Sequence, residues 1–278
     1  MIISIASGKG GTGKTTVAVN LAASLENNVQ LMDCDVEEPN CHLFLNPVIS
    51  EKKTVTTPIP EIDRDKCTFC RKCALICRFN AIAVLKNAAL VFPELCHSCG
   101  GCTAVCPENA ITEIGRELGT LEKGRKNGID FVHGILRVGE AMSPPLIREV
   151  RSCFDPDRIN IIDAPPGTSC PVIAAMKGVD FVVMVTEPTP FGLHDLKLAV
   201  EAVKLLNIPS GIVINRADMG DDGVREYAGH ENLPILMEIP FDRKIAEVYS
   251  KGRLMVEEMP EWKEKFLDLY RRIEQSAA

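Results

Sequence analysis

Two four-cysteine runs in the middle of the chain constrain its fold more than any other feature. The first run consists of Cys67, Cys70, Cys73 and Cys77, and the second of Cys96, Cys99, Cys102 and Cys106. Both runs have the spacing C-x2-C-x2-C-x3-C, and in both the last cysteine is followed, after two intervening residues, by Asn-Ala-Ile. Because a whole unit is duplicated, the pattern predicts a small inserted domain, which we place at residues 59–114.

Cysteines packed at two-residue gaps favour metal binding over a secreted disulfide framework. Zinc is one alternative because four thiolates suit it, although zinc ribbons use paired C-x2-C units. The runs resemble those of bacterial ferredoxins, in which thiolates hold [4Fe–4S] clusters. In two-cluster ferredoxins the fourth cysteine of each run binds the other cluster. The resemblance therefore implies one cluster on Cys67, Cys70, Cys73 and Cys106, and another on Cys96, Cys99, Cys102 and Cys77.

The ferredoxin run usually has proline after its fourth cysteine. Pro107 follows this rule, whereas Arg78 departs from it. We expect the departure to affect the local turn and the cluster potential more than the ligation.

The rest of the chain has the pattern of a parallel α/β sheet. Short apolar runs at residues 1–6, 29–32, 159–162, 181–185 and 212–214 predict strands, and several are rich in β-branched residues, as strands buried on both faces are. Helical patterns cover residues 14–25, 192–207, 242–251 and 261–275. We predict a mostly parallel sheet flanked by helices, formed by residues 1–58 and 115–278. Residues 115–139 are interpreted as a hairpin that links the insert to this domain.

A glycine-rich loop joins the first predicted strand to the first helix. The pattern G-x4-G-K-[ST] is met by Gly8, Gly13, Lys14 and Thr15. Its backbone N–H groups and the helix N-terminus are suited to phosphate, Lys14 to the β- and γ-phosphates, and Thr15 to Mg²⁺. The predicted nucleotide-binding residues of the loop are Gly8, Lys9, Gly10, Gly11, Thr12, Gly13, Lys14, Thr15 and Thr16.

Lys9 gives the loop a more specific resemblance, to the deviant Walker A motif of the MinD, Mrp, ParA and nitrogenase iron protein group. That resemblance implies a P-loop ATPase in which Lys9 reaches the nucleotide of the partner subunit. It also implies that Asp35, in Asp33-Cys34-Asp35, positions the attacking water, and that Asp163 holds Mg²⁺. Gly167 is then near the γ-phosphate. Lys9, Lys14 and Asp35 are thus the predicted catalytic residues.

Two alternatives remain open at this site. An aspartate at the end of a parallel strand also serves as a helix cap, so Asp33 and Asp35 have a purely structural interpretation as well. The segment Asn215-Arg216-Ala217-Asp218 resembles the base-binding loop of the family, with Asn215 on adenine. Many GTPases read guanine with Asn-Lys-x-Asp, but arginine replaces that lysine here, so we expect ATP.

Two further segments carry hypotheses. Cys170 follows Asp163 at an offset similar to that of a cluster-ligating cysteine in the nitrogenase iron protein, so it is a possible thiol at a dimer interface; a small buried residue is the alternative. The helical stripe of Trp262, Phe266, Leu269, Tyr270 and Ile273 is expected to pack on the ATPase core. Acidic neighbours argue against a membrane-surface helix like that of MinD.

Composition excludes some classes of function. A net charge of −7 argues against general nucleic-acid binding, and no apolar run reaches membrane-spanning length. The N-terminus is predicted to be a strand and not a signal peptide, which favours a cytoplasmic protein.

Three functions fit these features. The first is ATP-gated electron transfer through two [4Fe–4S] clusters, the second is a scaffold or carrier that delivers clusters to apoproteins, and the third is a regulatory or positioning ATPase with a redox-sensing insert. All three imply ATP, Mg²⁺, two clusters and a nucleotide-sandwiched homodimer, or a heterodimer with a related ATPase. The partner is a redox protein or an apo-iron–sulfur protein. Stable ferredoxin-type clusters favour the first.

Overall fold

The computed structural model describes residues 1–277 and divides them into eleven strands and eleven α-helices. The strands are β1 Ile2–Ala6, β2 Val29–Asp33, β3 Val48–Ile62, β4 Ile82–Val84, β5 Ala89–Val91, β6 Ile111–Lys126, β7 Ile129–Leu136, β8 Ile159–Asp163, β9 Phe181–Thr186, β10 Ser210–Asn215 and β11 Ile235–Ile239. The helices are α1 Lys14–Leu25, α2 Cys41–Leu45, α3 Lys72–Ile76, α4 Gly101–Ala104, α5 Pro144–Arg151, α6 Cys170–Met176, α7 Pro190–Leu205, α8 Gly223–Glu231, α9 Arg243–Ser250, α10 Met255–Glu258 and α11 Glu261–Ala277.

One nine-stranded sheet has the order β11-β10-β9-β1-β8-β2-β7-β6-β3. Every pairing from β11 to β7 is parallel, and β6 and β3 then continue the sheet in antiparallel fashion. The central strands are buried throughout because helices cover both faces, as the continuous apolar runs predict. The predicted mostly parallel sheet flanked by helices is confirmed.

Helix α11 packs on the core through its apolar stripe, as predicted. Trp262, Phe266, Leu269 and Ile273 are buried together with residues of α1 and α10, whereas Tyr270 is only partly buried. Charged residues cover its outer face. Among the described residues, no helix is long and apolar enough to cross a membrane.

The far edge of the sheet is a long two-stranded ribbon made of β3 and β6, called the ribbon below. Its antiparallel pairs run from Val48 opposite Arg125 to Ile62 opposite Ile111. The sequence did not predict β3. The hairpin expected at residues 115–139 is present as β6 and β7, but these strands extend the main sheet instead of forming a separate link.

Residues 63–110 form a small lobe, called the cysteine module below, at the outer end of the ribbon. It contains α3, α4, the β4–β5 hairpin and a 3-10 turn at Pro93–Leu95. Its buried apolar cluster is small and includes Cys73, Ile82 and Ile111. The ribbon therefore carries the module away from the parallel part of the sheet.

Candidate nucleotide site and cysteine cavities

The predicted phosphate loop lies between β1 and α1, at the carboxyl edge of the parallel strands. Gly11 and Gly13 have φ of 80° and 99°, a left-handed conformation that suits glycine and little else. A Cβ atom on Gly13 would lie 2.6 Å from the Nδ2 atom of Asn215. Lys14 and Thr15 begin α1 and are buried. The loop is therefore shaped by its glycines and closed on one side by Asn215.

Asn215 reaches the loop from the end of β10. Its side-chain Nδ2 donates a hydrogen bond of 2.9 Å to the carbonyl oxygen of Thr12, and its Oδ1 accepts one from the backbone N–H of Arg216. These contacts tie the predicted base-binding segment to the phosphate loop. The role of Asn215 on adenine stays a prediction.

A buried acidic cluster lies beneath the loop. Asp33 and Asp163 end the neighbouring strands β2 and β8 and stand opposite each other in the sheet register. The hydroxyl of Thr15 donates a hydrogen bond of 2.6 Å to Oδ2 of Asp163, and the thiol of Cys41 lies 3.4 Å from the same oxygen. Asp163 Oδ1 is buried without a partner in the described chain. These oxygens suit the predicted Mg²⁺, which prefers oxygen ligands. The ion would also supply the positive charge that the acidic cluster lacks.

Asp33 also organises the backbone that follows it. Its carboxylate accepts hydrogen bonds of 3.0 to 3.1 Å from the N–H groups of Asp35, Asn40 and Cys41. Asp33 thus has the structural role left open by the sequence, because it holds the segment that begins α2. Asp35 is less buried than Asp33, and the charge of Lys14 is the main influence that lowers its pKa.

Burial decides the protonation of these acids. Desolvation, reinforced by the charge of Asp163, raises the pKa of Asp33 to about 8. Desolvation also raises the pKa of Asp163, against the lowering effect of Lys14 and of the hydrogen bond from Thr15. The pKa of Asp35 rises to about 6, again mainly by burial and against Lys14. The cluster is therefore short of positive charge, which a divalent cation would supply.

Lys9 and Gly167 both lie next to the loop. The Nζ atom of Lys9 is 3.7 Å from Oε2 of Glu187, and Arg216 contacts the other oxygen of Glu187 at 2.8 Å. The backbone N–H of Gly167 donates to the carbonyl of Ser7 at 2.9 Å. Glu187 was missed by the sequence reasoning, although its position directly after β9 at the carboxyl edge could have pointed to it.

The cysteine module contains two cavities, each lined by four cysteines. The first is lined by Cys67, Cys70, Cys73 and Cys106, with about 350 Å³ of empty space including the part open to solvent. The second is lined by Cys77, Cys96, Cys99 and Cys102, with about 420 Å³. The structure thus brings together the two crossed sets expected from the ferredoxin resemblance, three cysteines from one run and the fourth from the other.

The donor set of each cavity fits an iron–sulfur cluster better than zinc. None of the twelve cysteines is in a disulfide. Across residues 1–277, no three of the module's cysteines bring their sulfur atoms within 4.8 Å of one another. A tetrahedral zinc site, with Zn–S bonds of about 2.3 Å, needs sulfur–sulfur distances of roughly 3.8 Å. The cysteines are spread around a larger space.

Backbone N–H groups point at cysteine sulfurs in the same way in both halves of the module. Ala81 donates to Cys77 Sγ and Ala110 donates to Cys106 Sγ, each at 3.3 Å. Such bonds favour thiolates and tune the potential of a bound cluster. Arg78, in place of the usual proline, leaves this arrangement at Cys77 intact.

The four remaining cysteines lie outside the cysteine module. Cys170 is exposed at the start of α6, so the small-buried-residue interpretation is wrong for it. Its role at a dimer interface stays a prediction. Cys34 and Cys41 are buried, and Cys153 is partly buried. Cys41 contacts Asp163 in the acidic cluster, a contact that the sequence did not predict.

Comparison with known proteins defines the class. The family model described as the CobQ/CobB/MinD/ParA nucleotide binding domain matches residues 3–255, and the chain belongs to this family. Its fold is also that of the septum site-determining protein MinD of Pyrococcus horikoshii, whose structure with Mg-ADP has a TM-score of 0.60. That comparison covers 98% of this chain and 95% of the other at 22% identity.

Among sequence relatives, an uncharacterized protein of Methanocaldococcus jannaschii is 32% identical over 99% of this chain and 97% of its own length. An iron-sulfur cluster carrier protein of Aquifex aeolicus is 26% identical, and the match covers 94% of this chain and 63% of that protein. An iron-sulfur cluster transfer protein of Mus musculus, NUBPL, is 23% identical over 93% of this chain and 71% of that protein.

Proposed function

We propose that this protein is an ATP-hydrolysing switch that controls electron transfer through two [4Fe–4S] clusters. The observation that carries the proposal is the pair of cavities, each lined by three cysteines of one run and the fourth of the other. Ligands drawn from both runs interlock the two sites, which suits resident clusters. When bound, the clusters supply one-electron chemistry.

The nucleotide site has the groups that phosphoryl transfer needs. Lys14 and the loop N–H groups would hold the phosphates, Thr15 and Asp163 would hold Mg²⁺, and Asp35 would orient the attacking water. Lys9 adds positive charge to the phosphates of a partner subunit in a nucleotide-sandwiched dimer. In the single chain Lys9 contacts the carboxylate of Glu187. In the proposed dimer Lys9 would leave Glu187 and contact a phosphate of the partner's nucleotide instead.

A direct structural route joins this site to the cysteine module. The carbonyl of Val36, the residue after Asp35, accepts a hydrogen bond of 2.8 Å from Leu136 at the end of β7. The next residue, Arg137, donates its backbone N–H to Leu118 of the ribbon, and its side chain approaches Glu94 of the module at 3.9 Å. These contacts are the route by which we propose that a movement of the segment around Asp35 reaches the module.

Anaerobic stopped-flow of the reduced protein tests the proposal. Oxidation of the clusters by an acceptor protein is expected to require MgATP in the wild type and to stay slow in Lys14→Ala with or without MgATP, because this variant binds the nucleotide poorly. Oxidation of the wild type at the same rate with and without MgATP would overturn the proposed gating.

A second candidate is a carrier that delivers clusters to apoproteins. It is favoured by the names of the Aquifex and mouse relatives and by the exposed thiol of Cys170. Delivery of iron and sulfide from the loaded protein to an apo-ferredoxin, lost in Cys170→Ser, would support the carrier. Clusters that stay with the protein while electrons pass would favour the first function.

A further inference from the structure

The duplicated halves of the cysteine module differ sharply at one surface. Aligning the runs on their cysteines pairs residues 71–79 with residues 100–108. The first half has Arg71, Lys72, Leu75, Ile76, Arg78 and Phe79 where the second has Gly100, Gly101, Ala104, Val105, Pro107 and Glu108. The six residues of the first half are called the α3 face below. Because the second half provides the same cysteine spacing without them, the fold and the ligation do not require these side chains.

Arg71 has a left-handed backbone conformation, which favours glycine over residues with a side chain. It precedes α3 with φ of 66°, and its counterpart Gly100 precedes α4 with φ of 69°. Glycine adopts this left-handed conformation freely, whereas a residue with a side chain pays about 1 kcal/mol for it. The backbone therefore does not explain an arginine at this position, where the second half of the module has glycine.

The composition and exposure of the α3 face are typical of a docking surface. Leu75 is 83% exposed, Ile76 47% and Phe79 39%, and all three adjoin exposed cations. Apolar side chains with a charged rim are typical of protein–protein interfaces, in which arginine and phenylalanine are enriched. The counterpart surface of the second half has small residues and one carboxylate.

The charge of the surface indicates an acidic partner. Within the described residues, Arg71, Lys72 and Arg78 have no carboxylate within 4.0 Å, unlike Lys66, which pairs with Asp63 at 3.0 Å. Residues 87–114 contain no lysine or arginine at all, whereas the whole chain has a net charge of −7. A local basic face on an acidic protein attracts small acidic proteins to that face. A long polyanion would also meet the negative charge of the rest of the protein and would be repelled.

The α3 face also lies over both cavities. Arg71 and Lys72 line the first cavity, whereas Ile76 and Phe79 line the second, where Phe79 stacks on His97 with ring centroids 3.5 Å apart. A protein seated on this face contacts the walls of both cysteine sets at once. An electron carrier gains most from such a position.

We propose that the α3 face is the docking site of a small acidic electron-carrier protein that donates electrons to the cysteine module. This rests on the electron-transfer function proposed above. In each encounter the reduced carrier loses one electron and the iron–sulfur sites gain it, and no bond is made or broken. The face is then the entry for electrons, separate from the nucleotide site.

Binding of fluorescently labelled flavodoxin, a small acidic carrier, to the iron–sulfur-loaded protein tests the proposal. At low salt, R71E/K72E is expected to weaken binding at least about tenfold. The matched control is R243E/K244E, which reverses another adjacent Arg-Lys pair at the start of α9 and should stay within about twofold of the wild type. Leu75→Ser should also weaken binding, and Arg71→Gly, which copies Gly100, should weaken it without lowering thermal stability.

Each outcome decides the proposal. Equal binding by R71E/K72E and R243E/K244E would overturn it, as would a wild type that binds anionic vesicles or RNA in preference to flavodoxin. Loss confined to the variants of the α3 face supports it. Reduction by a small viologen dye, which needs no docking, separates the two proposals: selective flavodoxin binding without electron uptake from either reductant keeps the docking face and overturns the electron-transfer function.

Discussion

The nucleotide site and the cysteine module are built in opposite ways. The acids of the nucleotide site, Asp33 and Asp163, end strands that are covered by helices on both faces, and Lys14 starts a buried helix. The cysteine module rests on a small apolar cluster around Ile82 and Ile111, and most of its surface is exposed. A large core can hold a site in shape before its ligand binds, whereas we expect so small a lobe to depend on the proposed metal ligation to stay folded.

The largest difference between the two regions is expected when one cysteine of each cavity is replaced. In Cys73→Ser/Cys102→Ser we expect complete loss of iron, together with loss of amide protection across residues 63–110, because ligation holds the module together. Hydrogen exchange measures this. Nucleotide affinity should stay near that of the wild type, and a module that remains protected without iron would contradict the comparison.

Lys9→Ala should affect turnover without affecting the module. We expect ATP hydrolysis to fall about a thousandfold, the scale at which a cation supplied from a partner subunit acts, with nucleotide binding retained. Steady-state phosphate release and equilibrium binding measure the two effects. Lys177→Ala, at an exposed lysine, is the control, and near-normal turnover in Lys9→Ala would refute the role of Lys9 in the partner's site.

Lys14→Ala should weaken binding itself. Loss of its charged hydrogen bonds to phosphate is expected to raise the Kd of ATP about a hundredfold, and Lys14→Arg should restore part of it because the charge returns. Iron content should be unchanged in both variants, as the cavities lie on the ribbon. Calorimetry and iron analysis provide the check, and iron loss in Lys14→Ala would show that the regions are not independently folded.

The smallest expected effect is a pH dependence confined to the nucleotide site. Burial raises the pKa of Asp33 and Asp163, so the folded protein binds protons that the unfolded chain, with pKa near 4, releases. The contribution of these two groups to the free energy of unfolding is therefore fully present below about pH 4. It is lost as the pH rises toward about 8. In nucleotide-free protein we expect Tm to fall by several degrees between about pH 5 and about pH 8.

Mg-ADP is the control for that decline, because it supplies the missing cation. The fall in Tm should be smaller when Mg-ADP is bound, and an equal fall with and without it would mean that the acidic cluster does not cause the pH dependence.

Local patterns were enough to predict much of the sheet and the phosphate loop. The strand, glycine loop and helix are adjacent in sequence, and the loop's conformation depends on its own glycines. Strand β3 was missed because most of Val48–Thr54 is exposed and polar, without the apolar alternation that marks a strand. It forms because β6 pairs with it along its whole length.

The residues missed at the site depend on contacts distant in sequence. Cys41 belongs to the acidic cluster only because α2 lies against Asp163, and Glu187 is placed beside Lys9 by the position of β9 next to β1. No local pattern marks Cys41, and the position of Glu187 directly after β9 places it at the carboxyl edge without showing that it contacts Lys9. The crossed cysteine sets could be anticipated only from the resemblance to two-cluster ferredoxins, in which the fourth cysteine of each run binds the other cluster.

The most direct test of the coupling between the two regions is a redox titration of the clusters, followed by electron paramagnetic resonance, with Mg-ADP and with MgATP. We predict that the reduction potential in the wild type differs between the two nucleotides and that Lys14→Ala shows one potential throughout. One potential for both nucleotides in a wild type that binds them would contradict the claim that the nucleotide site controls the iron–sulfur module.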